Sequence, residues 1–323
     1  MAIASPPSHR TGSPDAPTAV GARTGVPEPG DAVPVAADAT VDEALRLRDP
    51  AFIARQLSSL TRYVNYFSPE VRGRDHLPAQ GPALVVGNHS TLFYMPDAWV
   101  VGLEIIRRRG LEQPAYALGY DLLFAVPGVG PFLRRIGAIP AGGAVAREAL
   151  AEGAAVLVYP GGDREAARPW TQRDTVDMGG HKGFVRLALQ TGVPVVPVVT
   201  HGSHDAIVVV TRGEHLAKAL GLHRLRIKVF PILLTPFGLT TVLLPPLPMP
   251  SSITVEFLPP LDWSAYGPGA ADDDAIVSAC YDEATAVLQD GLDRLRAEEP
   301  HPVLRGWSNL LRPGGRRLEV PKV

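Results

Sequence analysis

The spacing of apolar positions changes character twice along the chain. Residues 1–38 are rich in Pro, Ala and Gly and show no apolar period, so they predict a disordered tail. From Asp49-Pro50, an N-cap followed by proline at the first helical position, Ile53, Leu57, Leu60 and Val64 recur at i, i+4, i+7 and i+11. Arg55, Ser58 and Arg62 fall opposite, so residues 39–68 predict an amphipathic helical lead-in. Beyond residue 80, short apolar runs alternate with helical periods. Strands are predicted at Ala83–Val86, Ala115–Leu118, Ile136–Ile139, Ala155–Tyr159, Val193–Val199, Arg226–Phe230 and Ile253–Phe257. Helices are predicted at Asp97–Arg109, Ala144–Ala151, Lys182–Gln190 and Asp272–Arg296. Several strand runs are continuously apolar, as in strands covered on both faces. The alternation predicts one α/β domain over residues 39–300, a mostly parallel central sheet flanked by helices, with a C-terminal tail at 301–323.

One stretch fits neither period. Between Val229 and Val255 there is no charged residue, yet six prolines interrupt it: Pro231, Pro236, Pro245, Pro246, Pro248 and Pro250. Each interior proline costs a helix about 3 kcal/mol, so the segment does not predict a membrane span. Lys218, His223, Arg224, Arg226 and Lys228 precede it without an acid among them. An apolar loop beside basic residues suits a peripheral membrane surface, and a segment packed on the sheet suits the pattern equally. With the amphipathic stripe at Ile53–Val64, residues 229–250 are taken as membrane-facing.

Composition narrows the partners. A net charge of −2 gives no reason to expect nucleic acid. One cysteine, Cys280, leaves no internal disulfide framework, which fits a reducing compartment. The first twenty residues lack the basic start and apolar core of a secretory signal, so the chain is expected on the cytoplasmic side of a membrane, held peripherally.

Three stretches carry candidate chemistry. In Gly87-Asn-His-Ser-Thr-Leu-Phe-Tyr-Met-Pro-Asp97, His89 follows a predicted strand, where ligands collect in open α/β sheets. A neutral imidazole there takes a proton from a hydroxyl if a carboxylate fixes its tautomer. On one continuous helix His89 and Asp97 would lie ~12 Å apart, so they pair only if residues 90–95 fold back. In Tyr159-Pro-Gly-Gly-Asp-Arg-Glu165, the glycines let backbone N–H groups approach a ligand, and Arg164 offers a bidentate fork. A plain strand-to-helix turn capped by Asp163 fits as well. In His201-Gly-Ser-His-Asp205, three potential metal ligands stand within five residues, but the spacing is a weak zinc signal and no metal is expected.

In this order the stretches resemble the lysophospholipid/glycerol-phosphate acyltransferase family. Asn88, His89 and Asp97 match its His…Asp motif, Tyr159-Pro160, Gly162 and Arg164 its Phe-Pro-Glu-Gly-Thr-Arg motif, and Val193-Pro-Val-Val-Pro its Val-Pro strand. Seven residues, not four, separate His89 from Asp97; Gly161 stands at the usual Glu and Gly142 at the usual phosphate-binding Arg. The Pro-Gly-Gly-x-Arg-Glu form is similar to the diacylglycerol acyltransferase branch. The resemblance implies acyl transfer from acyl-CoA or an acyl carrier protein, as co-substrate, to a lysophospholipid or glycerol phosphate. A neutral acceptor, diacylglycerol or a fatty alcohol, and a non-catalytic lipid-binding protein are the alternatives. His89 would be the general base and Asp97 its orienter; Gly161, Gly162 and Arg164 would hold a headgroup, with Glu165 bracing Arg164. No cofactor is implied.

Overall fold

The structure, a computed structural model, describes residues 41–90, 94–225, 228–235, 238–241, 244, 246–312 and 315–322. The expected 1–38 tail lies outside them. In chain order the elements are α1 (Val41–Arg46), α2 (Pro50–Asn65), β1 (Glu70–Arg72), β2 (Ala83–Gly87), α3 (Pro96–Arg109), β3 (Ala115–Gly119), α4 (Asp121–Ala125), α5 (Val129–Arg135) and β4 (Ala138–Pro140). There follow α6 (Gly143–Ala151), β5 (Ala155–Val158), α7 (Gly162–Ala166), α8 (Gly183–Thr191), β6 (Val195–His201), β7 (Val208–Thr211) and α9 (Glu214–Ala219). The chain closes with β8 (Ile232–Thr235), β9 (Gly238–Thr241), β10 (Thr254–Phe257), α10 (Asp274–Glu298) and α11 (Pro302–Leu311).

Seven strands form the central sheet in the order β1-β10-β6-β2-β5-β3-β4. All neighbours pair in parallel except β10 with β6. The continuous apolar runs have the predicted cause: every residue of β2 and β6 is buried. Leu84 and Val86 join one core with residues of α6, α8 and α10, whereas Ala83 and Val85 join a second with α2 and α3. Period-2 alternation thus feeds both faces of one strand.

The start of α2 is as read: Asp49 Oδ1 accepts from Phe52 N–H at 2.8 Å, with Pro50 in the first turn. Its stripe, however, is core. Ile53, Leu57 and Val64 pack with Val85, Val100 and Val196, so this helix does not offer its apolar face to a membrane.

Two further expectations change. Residues 228–230 are not strand; Phe230 N–H donates to the Arg212 carbonyl, and the chain enters a separate antiparallel sheet, β7-β8-β9. The part of 229–250 read as lipid-facing therefore contains two strands, with Leu233 buried against Ile207 and Val209. The expected C-terminal tail, 301–323, contains regular structure among its described residues. Its first part is α11, and Leu318 is buried, its N–H and carbonyl both bonded to the Asn65 side chain at 2.7 and 3.0 Å.

Candidate active site

Beyond the last residue of β2 the ladder is continued by a side chain. Asn88 is fully buried; its Oδ1 accepts from Thr200 N–H at 2.7 Å and its Nδ2 donates to the Thr200 carbonyl at 2.9 Å. This stitches the strand end to β6 and fixes the next residue, His89, at the carboxyl end of a central strand. The chain returns through Tyr94 and Met95, both at positive φ (67° and 40°), into α3 with Pro96 in its first turn. Residues 91–93 lie outside the described set.

The return brings His89 and Asp97 together: His89 Nδ1 donates to Asp97 Oδ2 at 2.8 Å, and Ser90 N–H donates to the same oxygen at 3.1 Å. Asp97 is fully buried and the His89 side chain is 12% exposed. With Nδ1 committed, Nε2 is the nitrogen left to take a proton. Burial lowers the His89 pKa, but the Asp97 charge, the hydrogen bond to it and the Glu165 charge outweigh burial, and the net shift is upward.

A buried ion pair holds the peptide groups flanking the imidazole. Glu165 Oε2 accepts from His89 N–H at 2.8 Å, and Arg168 Nη1 donates to the His89 carbonyl at 2.9 Å. The two charges meet at 3.3 Å, and neither is more than 1% exposed. Burial pushes the Glu165 pKa up to about 7, against the pull of Arg168 and of the His89 and Asp177 N–H groups. So Glu165 lies under His89 and does not brace Arg164, as the motif implied. Arg168 escaped the sequence reading; it lies just past the end of α7, where a turn closed by Arg168 N–H donating to the Glu165 carbonyl at 3.1 Å brings the two side chains together.

Gly161 explains the shifted acid. A Cβ built there would lie 2.3 Å from the Asp177 carbonyl oxygen and 2.6 Å from Glu165 Oε2. The Glu165 carboxylate fills the space that a side chain at 161 would need, so the acid comes from one helical turn later. Gly87 does the same for Tyr159: its missing Cβ leaves room for a ring carbon 2.7 Å away, and that ring stacks on His89 with centroids 4.5 Å apart.

Gly162, at φ 50°, opens α7, and Arg164 on that helix lines a cavity of about 570 Å³. Lys228, His181, Asp163, Asp177, Glu214 and Tyr281 also line it. The Arg164 guanidinium is already met by Asp177 at 3.4 Å and Glu214 at 3.8 Å. His201, His204 and Asp205 are not grouped for a metal: His201 Nε2 donates to the Glu299 carbonyl, His204 Nε2 to the Arg168 carbonyl, and Asp205 pairs with Arg173. Burial holds the His204 pKa down to about 3, so it stays neutral.

Residues 68–201, which run from the start of the sheet through both His89 and the Glu165–Arg168 pair, match the family model described as Acyltransferase. They form an acyltransferase domain, and the chain is an acyltransferase. An uncharacterised protein of Mycobacterium tuberculosis is 28% identical over 251 residues, 77% of this chain and 68% of its own. The "DGAT1/2-independent enzyme synthesizing storage lipids" of Gallus gallus is 27% identical over 190 residues, 58% of this chain and 54% of its own. The crystal structure of the 1-acyl-sn-glycerophosphate (LPA) acyltransferase PlsC from Thermotoga maritima aligns over 80% of this chain and 88% of its own, with TM-score 0.44 and 17% identity.

Proposed function

We propose that the chain moves a fatty acyl group from an acyl thioester, carried by CoA or an acyl carrier protein, to the hydroxyl of a neutral lipid. The observation that carries this reading is an imidazole whose Nδ1 is held by buried Asp97, which leaves Nε2 as the nitrogen that can take a proton. Nε2 takes the proton of the acceptor hydroxyl as its oxygen attacks the thioester carbonyl. The tetrahedral intermediate collapses with cleavage of the C–S bond, and the imidazolium returns its proton to the thiolate. Asp97 stabilises the imidazolium throughout; the Glu165–Arg168 pair keeps Nε2 in place. Positioned base catalysis contributes about 10²–10⁴-fold.

Neutrality of the acceptor is favoured by the charge balance of the cavity. Arg164 and Lys228 face Asp163, Asp177 and Glu214, which leaves no net positive field for a phosphate. The storage-lipid relative agrees with this preference. A second reading, a lysophospholipid or glycerol-phosphate acceptor, is favoured by Arg164, His181 and Lys228 on one wall system, with the Gly161–Gly162 turn beside them. Exposed Leu239, Leu244 and Leu247 in the proline-rich segment support peripheral contact with the membrane that dissolves the substrates.

The test is radiolabelled palmitoyl-CoA, and in parallel a palmitoyl carrier protein, offered against diacylglycerol, a long-chain alcohol, lysophosphatidate and glycerol phosphate. Ester formed with a neutral acceptor is expected. A tenfold preference for the phosphorylated acceptors selects the second reading, and no ester from any of them removes both.

A further inference from the structure

We infer that α11 is an interfacial helix that lays the His89 edge of the sheet on an anionic lipid surface. Pro302 and Gly306 alone form its buried side; a Cβ at Gly306 would lie 2.4 Å from the Pro250 carbonyl oxygen, so the helix rests directly on the proline-rich segment. Leu304, Trp307 and Leu311 follow at i, i+3 and i+7, a single stripe, and are 69%, 47% and 76% exposed. Arg305 on the helix and Arg312, the extended residue just past its end, supply positive charge beside the stripe. Ten residues span ~15 Å, half of a hydrocarbon core of ~30 Å, so α11 lies on a bilayer and does not cross it. Among the described residues no helix is long and apolar enough to cross a membrane.

The occupant is chosen by charge and by position. In residues 301–323 the cations Arg305, Arg312, Arg316, Arg317 and Lys322 face one acid, Glu319, although the whole chain carries −2. Arg305 pairs with Glu299 and Arg316 with Glu70; Arg312, Arg317 and Lys322 are exposed. Anionic headgroups complement that charge while acyl chains take the stripe, and Trp307 is a residue suited to the boundary between them. A second copy packed stripe to stripe would bring two arginine flanks together.

Position points the same way. The turn at His204–Ala206, which α11 touches, follows the carboxyl end of β6, and Met249 N–H donates to the Ala206 carbonyl at 2.8 Å. Pro246, between exposed Leu244 and Leu247, accepts at 2.8 Å from Tyr94 Oη in the loop joining His89 to Asp97. Exposed Leu122, Val126 and Val129 follow the carboxyl end of β3. Because β6, β2, β5 and β3 run parallel, these apolar groups border the edge that carries His89.

The lipid-acceptor reading gives this helix its purpose, but binding is measured without turnover, so either idea fails separately. The full chain is sedimented with phosphatidylcholine vesicles that contain phosphatidylglycerol or lack it. Binding to the anionic vesicles is expected, at least tenfold weaker in Leu304→Ser/Trp307→Ser/Leu311→Ser at unchanged melting temperature. Arg312→Gln/Arg317→Gln should reduce the preference for anionic lipid. A measurement without loss of the stripe is quenching of tryptophan emission by brominated lipid, expected in the wild type and largely absent in Trp307→Phe. The inference is overturned if the wild type ignores anionic vesicles or the triple variant binds them as well as wild type. It is equally overturned if light scattering shows a dimer that the triple variant dissolves while vesicle binding persists.

Discussion

At the scale of single residues, the proposed base, His89, can take a proton only when its Nε2 is unprotonated. Asp97 and Glu165 raise its pKa above 6.5, so the neutral form gains ground only at pH values above that. The acid limb of kcat/KM should therefore rise tenfold per pH unit and level off above 6.5; a plateau already reached at pH 6 contradicts the assigned base. His89→Ala should lower kcat by 10²–10⁴-fold at unchanged fold. The support beneath it is as testable. Gly161→Ala drives a methyl into the Asp177 carbonyl and the Glu165 carboxylate, and the displaced His89 should cost about 10²-fold in kcat. Native-like kcat in that variant would show that the site tolerates a shifted Glu165. The pair His89–Asp97 was legible because Asn-His and Pro-Asp mark a strand end and a helix start. The Glu165–Arg168 pair was not, because the motif couples Glu165 to its sequence neighbour Arg164, whereas the turn after α7 brings Arg168 back onto it.

At the scale of elements, two helices show what amphipathic periodicity leaves open. Both α2 and α11 present an apolar stripe, but the stripe of α2 meets the sheet and that of α11 meets solvent. Periodicity gives the stripe and not what covers it. Leu57, buried beneath the sheet, should cost about 2–5 kcal/mol of stability when replaced by Ala, read by denaturant unfolding, with vesicle binding unaltered. A Leu57→Ala variant of normal stability would place α2 off the core. The small antiparallel sheet was hidden by a similar ambiguity. Ile232–Thr235 lacks charge because Leu233 is buried against Val209, while Leu234 is exposed; an uncharged run reads alike as strand or as lipid contact. The helices were readable from Asp49 as a cap and Gly192 as a stop, but the last long one starts at Asp274, capped by Asp273, two residues later than its expected start at Asp272.

At the scale of the whole molecule, the α/β alternation foretold the sheet because each parallel connection needs a helix to return. The same constraint gathers the carboxyl ends of β2, β3, β5 and β6 at one edge, and with them His89 and the exposed apolar groups of α4, α11 and the proline-rich segment. That coincidence has a kinetic consequence. On the proposed reading, an acceptor dissolved in a bilayer reaches His89 only when that edge meets the membrane, whereas a short-chain acceptor in solution arrives without docking. Raising salt from 0.1 M to 1 M shortens the screening length from about 10 Å to about 3 Å and weakens attraction between the basic flank and anionic headgroups. The rate with a long-chain acceptor in phosphatidylglycerol-containing vesicles should therefore fall several-fold over that range, and the rate with a short-chain soluble acceptor should stay level. Initial rates for the two acceptors at matched thioester concentration make the comparison. Equal salt dependence for both would mean that the edge works without a membrane beneath it, and that the exposed leucines serve something other than delivery of the acceptor.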